Sequence, residues 1–286
     1  MTNLHLPGDW MNRLSRFSIA TKAKIRGHHK GSHRSSRFGS SLDFSDFREY
    51  YPGDDVRHID WNVYARTDRV YIKRFLDEQE MRVHFLIDDS KSMEQKWLFA
   101  KQLAFSLGSM VLSHDDRLTV SAGQAAAAPF KKKGKSARKL FEHFISHLPE
   151  PKSRLFARNA NFYTAKDSTV LFVISDGLEE LDEWQHFFRQ VPKYSHDVRF
   201  LHLSTAEERS PDFTGDIRLI DEETGADLNV TMTRQAIHSY LEKRELHSKG
   251  LEALCAKHGI HYMPVNIEDG IQYVLFQQLA RKKWIE

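Results

Sequence analysis

From residue 80 onward the sequence alternates two patterns, and that alternation limits the fold more than any other feature. RVHFLID and STVLFVISD are short, continuously apolar runs, and DRLTVSAG, HDVRFLHLS and IHYMPVN read as further strands. Between them lie EQKWLFAKQLAFSLGSMVLSH, SARKLFEHFISHL, LEELDEWQHFFRQV and TRQAIHSYLEKRELHSKGLEALCAKHG, whose apolar residues recur at helical spacing. A strand without polar alternation is buried on both faces. Such strands separated by helices predict an α/β fold with a doubly wound, mainly parallel sheet and helices on both faces. GDIRLIDEETGADLNV breaks the pattern and predicts an inserted hairpin near 215–230. EDGIQYVLFQQLARKKW predicts a closing helix.

Upstream of residue 80 the chain changes character. From Trp10 to Leu42 there is no acid, while Arg13, Arg16, Lys22, Lys24, Arg26, Lys30, Arg34 and Arg37 are set among Gly, Ser and His. The overall charge of +3 hides this. Residues 1–42 hold eight basic side chains and one acid, Asp9, for +7, and the remaining 34 basic and 38 acidic residues give −4. GHHKGSHRSSRFGSS predicts mobility, and MNRLSRFSIATKAKI a short amphipathic helix. The expected organisation is therefore a basic, mobile arm over 1–38, an aromatic segment over 39–80 packed on the main domain as a small β-rich subdomain, and an α/β domain over 81–286.

Several function classes lack their equipment. The single cysteine, Cys255, excludes an intrachain disulfide framework and a Cys-rich metal site and reads as a core thiol. Sixteen histidines include no HExxH, and His143 and His147 share helical spacing without a base between them. No phosphate loop, dinucleotide fingerprint or G-x-S-x-G elbow is present, and the residue two after Asp88 is Ser90 rather than the second carboxylate of an aspartyl phosphotransferase. No enzymatic activity is expected. No apolar run has membrane-spanning length, and MTNLHLPGDWMNRLSRFSIA lacks the regions of a secretory signal, so a cytoplasmic protein is expected.

FLIDDSKSM carries the sharpest local chemistry. A strand ends in Asp88, followed by Ser90 and Ser92 just before a helix, and FVISDG ends a second strand in Asp176. Ligands of doubly wound sheets gather at the carboxyl ends of strands, and carboxylate and hydroxyl oxygens suit Mg²⁺ or another hard divalent cation. The same Asp and Ser are also favoured helix N-caps, which leaves a purely structural role open.

This D-x-S-x-S pair of strand ends resembles the metal-ion-dependent adhesion site of von Willebrand factor A domains. The resemblance assigns Asp88, Ser90, Ser92 and Asp176 to a metal, with Ser153 standing where that family has a threonine in a Gly-Gly-Thr loop. Both glycines are missing, so the site is partly degenerate. The upstream block SSLDFSDFREYYPGDDVRHIDWNVYARTDRVYIKRF is similar to the signature R-x-Y-x-x-G-D-D-x-R-x-I-D-W of the domain of unknown function 58 family, in Arg48, Tyr50, Gly53, Asp54, Asp55, Arg57, Ile59, Asp60 and Trp61. That likeness extends over about residues 35 to 286. It implies a von Willebrand A-like fold and a protein-interaction module that takes a partner's carboxylate through a divalent cation. It also implies a MoxR-type AAA+ ATPase and a client protein as partners. Many members carry membrane helices before the signature; here a basic arm stands in that place.

Within the block, Asp54, Asp55 and Asp60 are expected to pair with Arg48, Arg57 and Arg66 in a structural network, with Tyr50, Tyr51, Tyr64 and Tyr71 as packing and Trp61 as core. A second function from another class is electrostatic binding of nucleic acid or an anionic surface by the arm, helped by KKKGK at 131–135.

Overall fold

The computed structural model describes residues 4, 6, 9–22, 33–38, 44–122, 128–152, 155–160, 166–212, 215–220 and 227–286. Two compact units are present, one formed by Met1–Lys24 with Arg82–Glu286 and the other by Ile25–Met81. In chain order the first unit contributes α1 (Trp10–Leu14), and the second contributes β1 (His33–Phe38), β2 (Phe44–Glu49), α2 (Trp61–Thr67) and β3 (Tyr71–Gln79). The larger unit resumes with β4 (Arg82–Ile87), α3 (Trp97–Ser113), β5 (Arg117–Ala122), β6 (Phe130–Lys133), α4 (Arg138–Ser146), α5 (Phe156–Asn159) and β7 (Ser168–Ser175). It continues through α6 (Leu181–Gln190), β8 (Ser195–Ser204), α7 (Ala206–Arg209), β9 (Gly215–Ile220), β10 (Asp227–Met232), α8 (Arg234–Lys257), β11 (His261–Asn266) and α9 (Gly270–Tyr273).

Six strands of the larger unit form one sheet in the order β11-β8-β7-β4-β5-β6. All neighbours are parallel except β6, which runs antiparallel to β5 at the edge. Numbered within the sheet, the order is 3-2-1-4-5-6, that of a doubly wound fold, and it reverses between β4 and β7. Both of those strands are central. β7 is buried at all eight positions and β4 from Val83 to Ile87, which is why their sequences show no polar alternation. The expected α/β architecture is therefore present.

Helix α3 is buried almost all round, so its apolar residues form no stripe. Gly108 sits where it passes α4, and a Cβ there would come within 2.6 Å of the Phe141 ring. Another core layer gathers Phe156, Trp184, Phe187, Phe188 and Phe200, with the Trp184 and Phe200 rings edge to face at 5.1 Å. Each such ring contributes on the order of 2 kcal/mol through burial. Cys255 is buried, as expected of a core thiol.

Several expectations need correction. The basic arm is not one mobile piece, because its residues 9–22 pack into the larger unit. Trp10 and Leu14 are buried, the Trp10 indole donates to Ser106 Oγ at 3.0 Å, and Ile19 bridges to Ile285. Two large apolar side chains a turn apart outweigh the flanking positive charge. Residues 33–38 form strand β1, while 23–32 lie outside the described residues. Strand β6 is also unforeseen. Its lysines Lys131, Lys132 and Lys133 hide a strand pattern and are exposed on the sheet edge, where charge discourages pairing with another chain. The closing helix is broken into a 3₁₀ turn, α9 and a π-helical stretch over Val274–Leu279. The predicted hairpin is a separate antiparallel pair, β9 with β10, whose turn at 221–226 lies outside the described residues.

The smaller unit begins at residue 25 rather than 39 and contains an antiparallel sheet in the order β1-β3-β2. Asp60 caps α2, accepting from the amides of Asn62 and Val63. Trp61, the next residue, is 64% exposed and stands edge to face with Tyr64 at 6.1 Å, so it is not core. The first turn of a short, capped surface helix points it outward. Tyr51 is likewise exposed rather than packed.

Candidate functional site

The reversal of strand order puts the ends of β4 and β7 side by side, and with them Asp88 and Asp176. The Asp88 amide still donates to Ile174 O at 2.9 Å, so the first carboxylate leaves the sheet in register with its neighbour. One Asp88 oxygen accepts from the Ser90 amide at 2.8 Å, and the other from the Ser175 hydroxyl at 2.5 Å. Ser175 Oγ accepts in turn from the Gly177 amide at 2.9 Å. Gly177 takes the chain away from Asp176 at φ +66°, and a Cβ there would lie 2.7 Å from Leu251, so glycine is required twice over.

Ser90 Oγ and Ser92 Oγ lie 3.1 Å apart. Ser90 starts the 3₁₀ turn Lys91–Lys96 without a side-chain capping bond, so its hydroxyl is not consumed as a cap. Burial and the neighbouring charge of Asp176 push the Asp88 carboxyl well above the usual carboxylate range, and hydrogen bonds from Ser175 and Ser90 only partly offset this.

A cationic side chain completes the cluster. The Lys96 ammonium, 3% exposed, donates to Asp176 Oδ2 at 3.0 Å and to Ser92 O at 3.1 Å, and pairs with Glu208 Oε1 at 2.5 Å. Burial disfavours that charge, but the fields of Asp176 and Glu208 and hydrogen bonds to both outweigh it, holding the lysine above its ordinary pKa. Glu208 is fixed by a capping box with Thr205 at the end of β8, and Arg244 of α8 stands 3.8 Å from it. Behind Asp176, His202 Nδ1 and the Tyr262 hydroxyl are 2.6 Å apart, and burial lowers the histidine to about 4.

The residues fit a hard divalent cation on two counts. Adjacent ligands of an octahedral Mg²⁺ with bonds of about 2.1 Å lie about 3.0 Å apart, close to the separation of the two serine hydroxyls. The charge of Asp176 also works against ionisation of Asp88, and a cation between the two carboxylates would relieve that repulsion. Among the described residues no three His, Cys, Asp or Glu side chains form a metal-holding group. The donor set is instead two hydroxyls and two carboxylates. Ser153, the fifth residue expected here, lies outside the described residues.

Lys96, Ser175 and Glu208 escaped the sequence reading. Glu208 had a signal, since TAEE at 205–208 is a Thr-x-x-Glu capping box directly after a strand. Lys96 had none, because a lysine entering a helix is ordinarily a solvated one.

In the smaller unit the signature residues form local pairs. Arg48 meets Asp54 at 2.7 Å and Arg57 meets Asp55 at 2.6 Å. Asp60 pairs with Lys73 at 3.0 Å, not with Arg66 as expected, because the strand β3 lysine reaches the helix cap. All three carboxyls are held below the usual range: Asp54 by the Tyr51 amide and Arg48, Asp55 by Arg57, and Asp60 by Lys73. Tyr50 and Gly53 belong to the turn between β2 and α2, where Gly53 adopts φ +106°.

The family profile described as Protein of unknown function DUF58 matches residues 46–250, from β2 to α8. The chain belongs to this family. The DUF58 match takes in both the local ion pairs and the strand-end cluster. Two curated relatives, Uncharacterized protein Mb1516 of Mycobacterium bovis and Uncharacterized protein Rv1480 of Mycobacterium tuberculosis, are each 31% identical over 81 residues, 28% of this chain. The chain spans about a quarter, 26%, of the length of these relatives. Among solved structures, the conserved hypothetical protein BatB from Bacteroides thetaiotaomicron aligns with TM-score 0.35 and 16% identity, covering 70% of this chain and 98% of BatB. An aerotolerance-related membrane protein from Bacteroides fragilis aligns at 0.33 and 16%, covering 70% and 99%. No helix among the described residues is long and apolar enough to cross a membrane.

Proposed function

We propose that this DUF58 chain is a non-enzymatic, cytoplasmic protein-interaction module that takes a partner's carboxylate at the ends of β4 and β7 through a divalent cation such as Mg²⁺. The observation that carries the reading is the convergence of Asp88, Ser90, Ser92 and Asp176 at the switch point of the sheet, where the charge of Asp176 works against ionisation of Asp88. The two hydroxyls and two carboxylates would hold the ion. A bound cation with an unfilled position supplies electrostatic capture of one protruding Asp or Glu. Asp88 and Ser175 keep the loop in place, and Lys96 holds Asp176. The family resemblance supports a MoxR-type AAA+ ATPase as the partner, with the chain acting as its adaptor toward a client protein.

The electrostatic alternative receives less support. Arg13 of the basic arm lies over the Phe276 ring at 4.5 Å, which engages that charge inside the larger unit.

The test is co-purification of a MoxR-type ATPase with the tagged chain, with Mg²⁺ or with EDTA, beside Asp88→Ala. Capture is expected with Mg²⁺ alone, and Asp88→Ala is expected to lose it while keeping the parent's melting transition. Equal capture by the folded variant, or in EDTA, overturns the reading.

A further inference from the structure

The strand-end site contains a feature that binding a cation does not require: a lysine whose ammonium is bonded at 3.0 Å to one of the site's own carboxylates. Lys96 is not a surface cation that happens to lean inward. Its side chain is 3% exposed, and three acceptors from three segments, Ser92 O, Asp176 Oδ2 and Glu208 Oε1, match its three N–H groups. A bound metal ion would thus share Asp176 with a tethered ammonium.

We propose that Lys96 is the specificity-determining residue of this site, a fixed positive charge that weakens its hold on a divalent cation and strengthens the loaded site's hold on a carboxylate. The inference rests on the cation reading above and adds what sets its balance. Lys96 offsets the charges of Asp176 and Glu208, so a divalent ion bound beside Asp176 meets a positive neighbour and leaves the loaded site more positive toward an incoming carboxylate. Without the ammonium the same ion meets uncompensated carboxylates, which hold it more tightly and leave less positive charge for the incoming group.

The location makes this effect large. Lys96 and Asp176 are both buried, so water screens their fields poorly, and one unit charge within a few ångströms is worth about tenfold or more in binding. Glu208 offers the opposite lever. It touches the same ammonium, is more exposed than Asp176, and as glutamine retains an oxygen to accept from the Thr205 amide. Removing its charge leaves Lys96 less compensated and makes the site more positive.

The experiment measures Mn²⁺ affinity by the electron paramagnetic resonance of the free ion, for the unaltered chain, Lys96→Gln, Lys96→Arg and Glu208→Gln, each checked by thermal melting. Acetate serves as the carboxylate probe on the Mn²⁺-loaded proteins. Lys96→Gln is expected to bind Mn²⁺ about tenfold more tightly and acetate about tenfold more weakly. Lys96→Arg should stay near the parent, and Glu208→Gln should shift both affinities the other way. If Lys96→Gln does not fold, Glu208→Gln decides alone, and a Mn²⁺ affinity unchanged from the parent overturns the proposal. Mn²⁺ binding unaltered by both substitutions, or shifted in one direction by both, overturns this inference and leaves the cation reading standing. Absence of Mn²⁺ binding by the unaltered chain overturns both.

Discussion

Asp54, Asp55 and Asp60 in the smaller unit and Asp88 and Asp176 in the larger are the same side chain in opposite surroundings. Each of the first three has its own cation within 3.0 Å, and its carboxyl is held low. The second pair is buried: Lys96 holds Asp176, and Asp88, facing the charge of Asp176, is pushed high. Local pairs of that kind pin loops and caps. A buried pair short of positive charge is strained electrostatically, and such strain is characteristic of sites that bind something. Residues from one sequence block satisfied one another, whereas residues brought together across the sheet were left wanting.

The largest expected effect breaks the buried side of this contrast. Lys96→Met leaves Asp176 and Glu208 facing each other without the ammonium, and should cost about 3–5 kcal/mol of stability in urea unfolding at pH 7. A loss under about 1 kcal/mol would mean that Lys96 is solvated like the surface pairs.

A smaller effect, with sign reversed, comes from Asp88→Asn in the presence of chelator. Because the folded state raises this carboxyl, folded protein binds a proton that unfolded chain releases above about pH 4, and stability falls as pH rises from there through the folded pKa. The substitution removes that fall, and should raise stability at pH 7. The unaltered chain should regain the difference as pH is lowered toward 4, and urea midpoints of the two proteins at pH 7 and near pH 4 check this. The depressed carboxyls of the smaller unit behave oppositely, contributing stability above about pH 4 that is lost on acidification.

The smallest effect lies on the surface. Arg57→Ala removes a pair whose arginine is largely exposed, and should leave the urea midpoint close to the parent's. A cost near that of Lys96→Met would erase the distinction between the two groups of aspartates.

The β4 and β7 runs were legible as buried strands because no polar residue interrupts them, and with them came the doubly wound class and the strand-end positions of Asp88 and Asp176. Ser90 and Ser92 were legible because they follow Asp88 in one short loop. Strand β6 was not, since its exposed lysines conceal the period of a strand. Nor was the packing of Trp10 and Leu14, which depends on an α3 surface far away in sequence. Trp61 misled because a tryptophan is usually buried, and only the cap at Asp60 shows that it begins a surface helix.

Short-range order in this chain follows from residues within a few positions of one another: the apolar runs, the helical spacings, the cap at Asp60 and the pairs Arg48–Asp54 and Arg57–Asp55 are all written locally. The electrostatic state of the strand-end site is not. Lys96 is eight positions from Asp88 but eighty from Asp176, and Glu208 is further still. Their meeting depends on the order of strands in the sheet, and burial there raises or lowers a charge by an amount that no local spacing encodes.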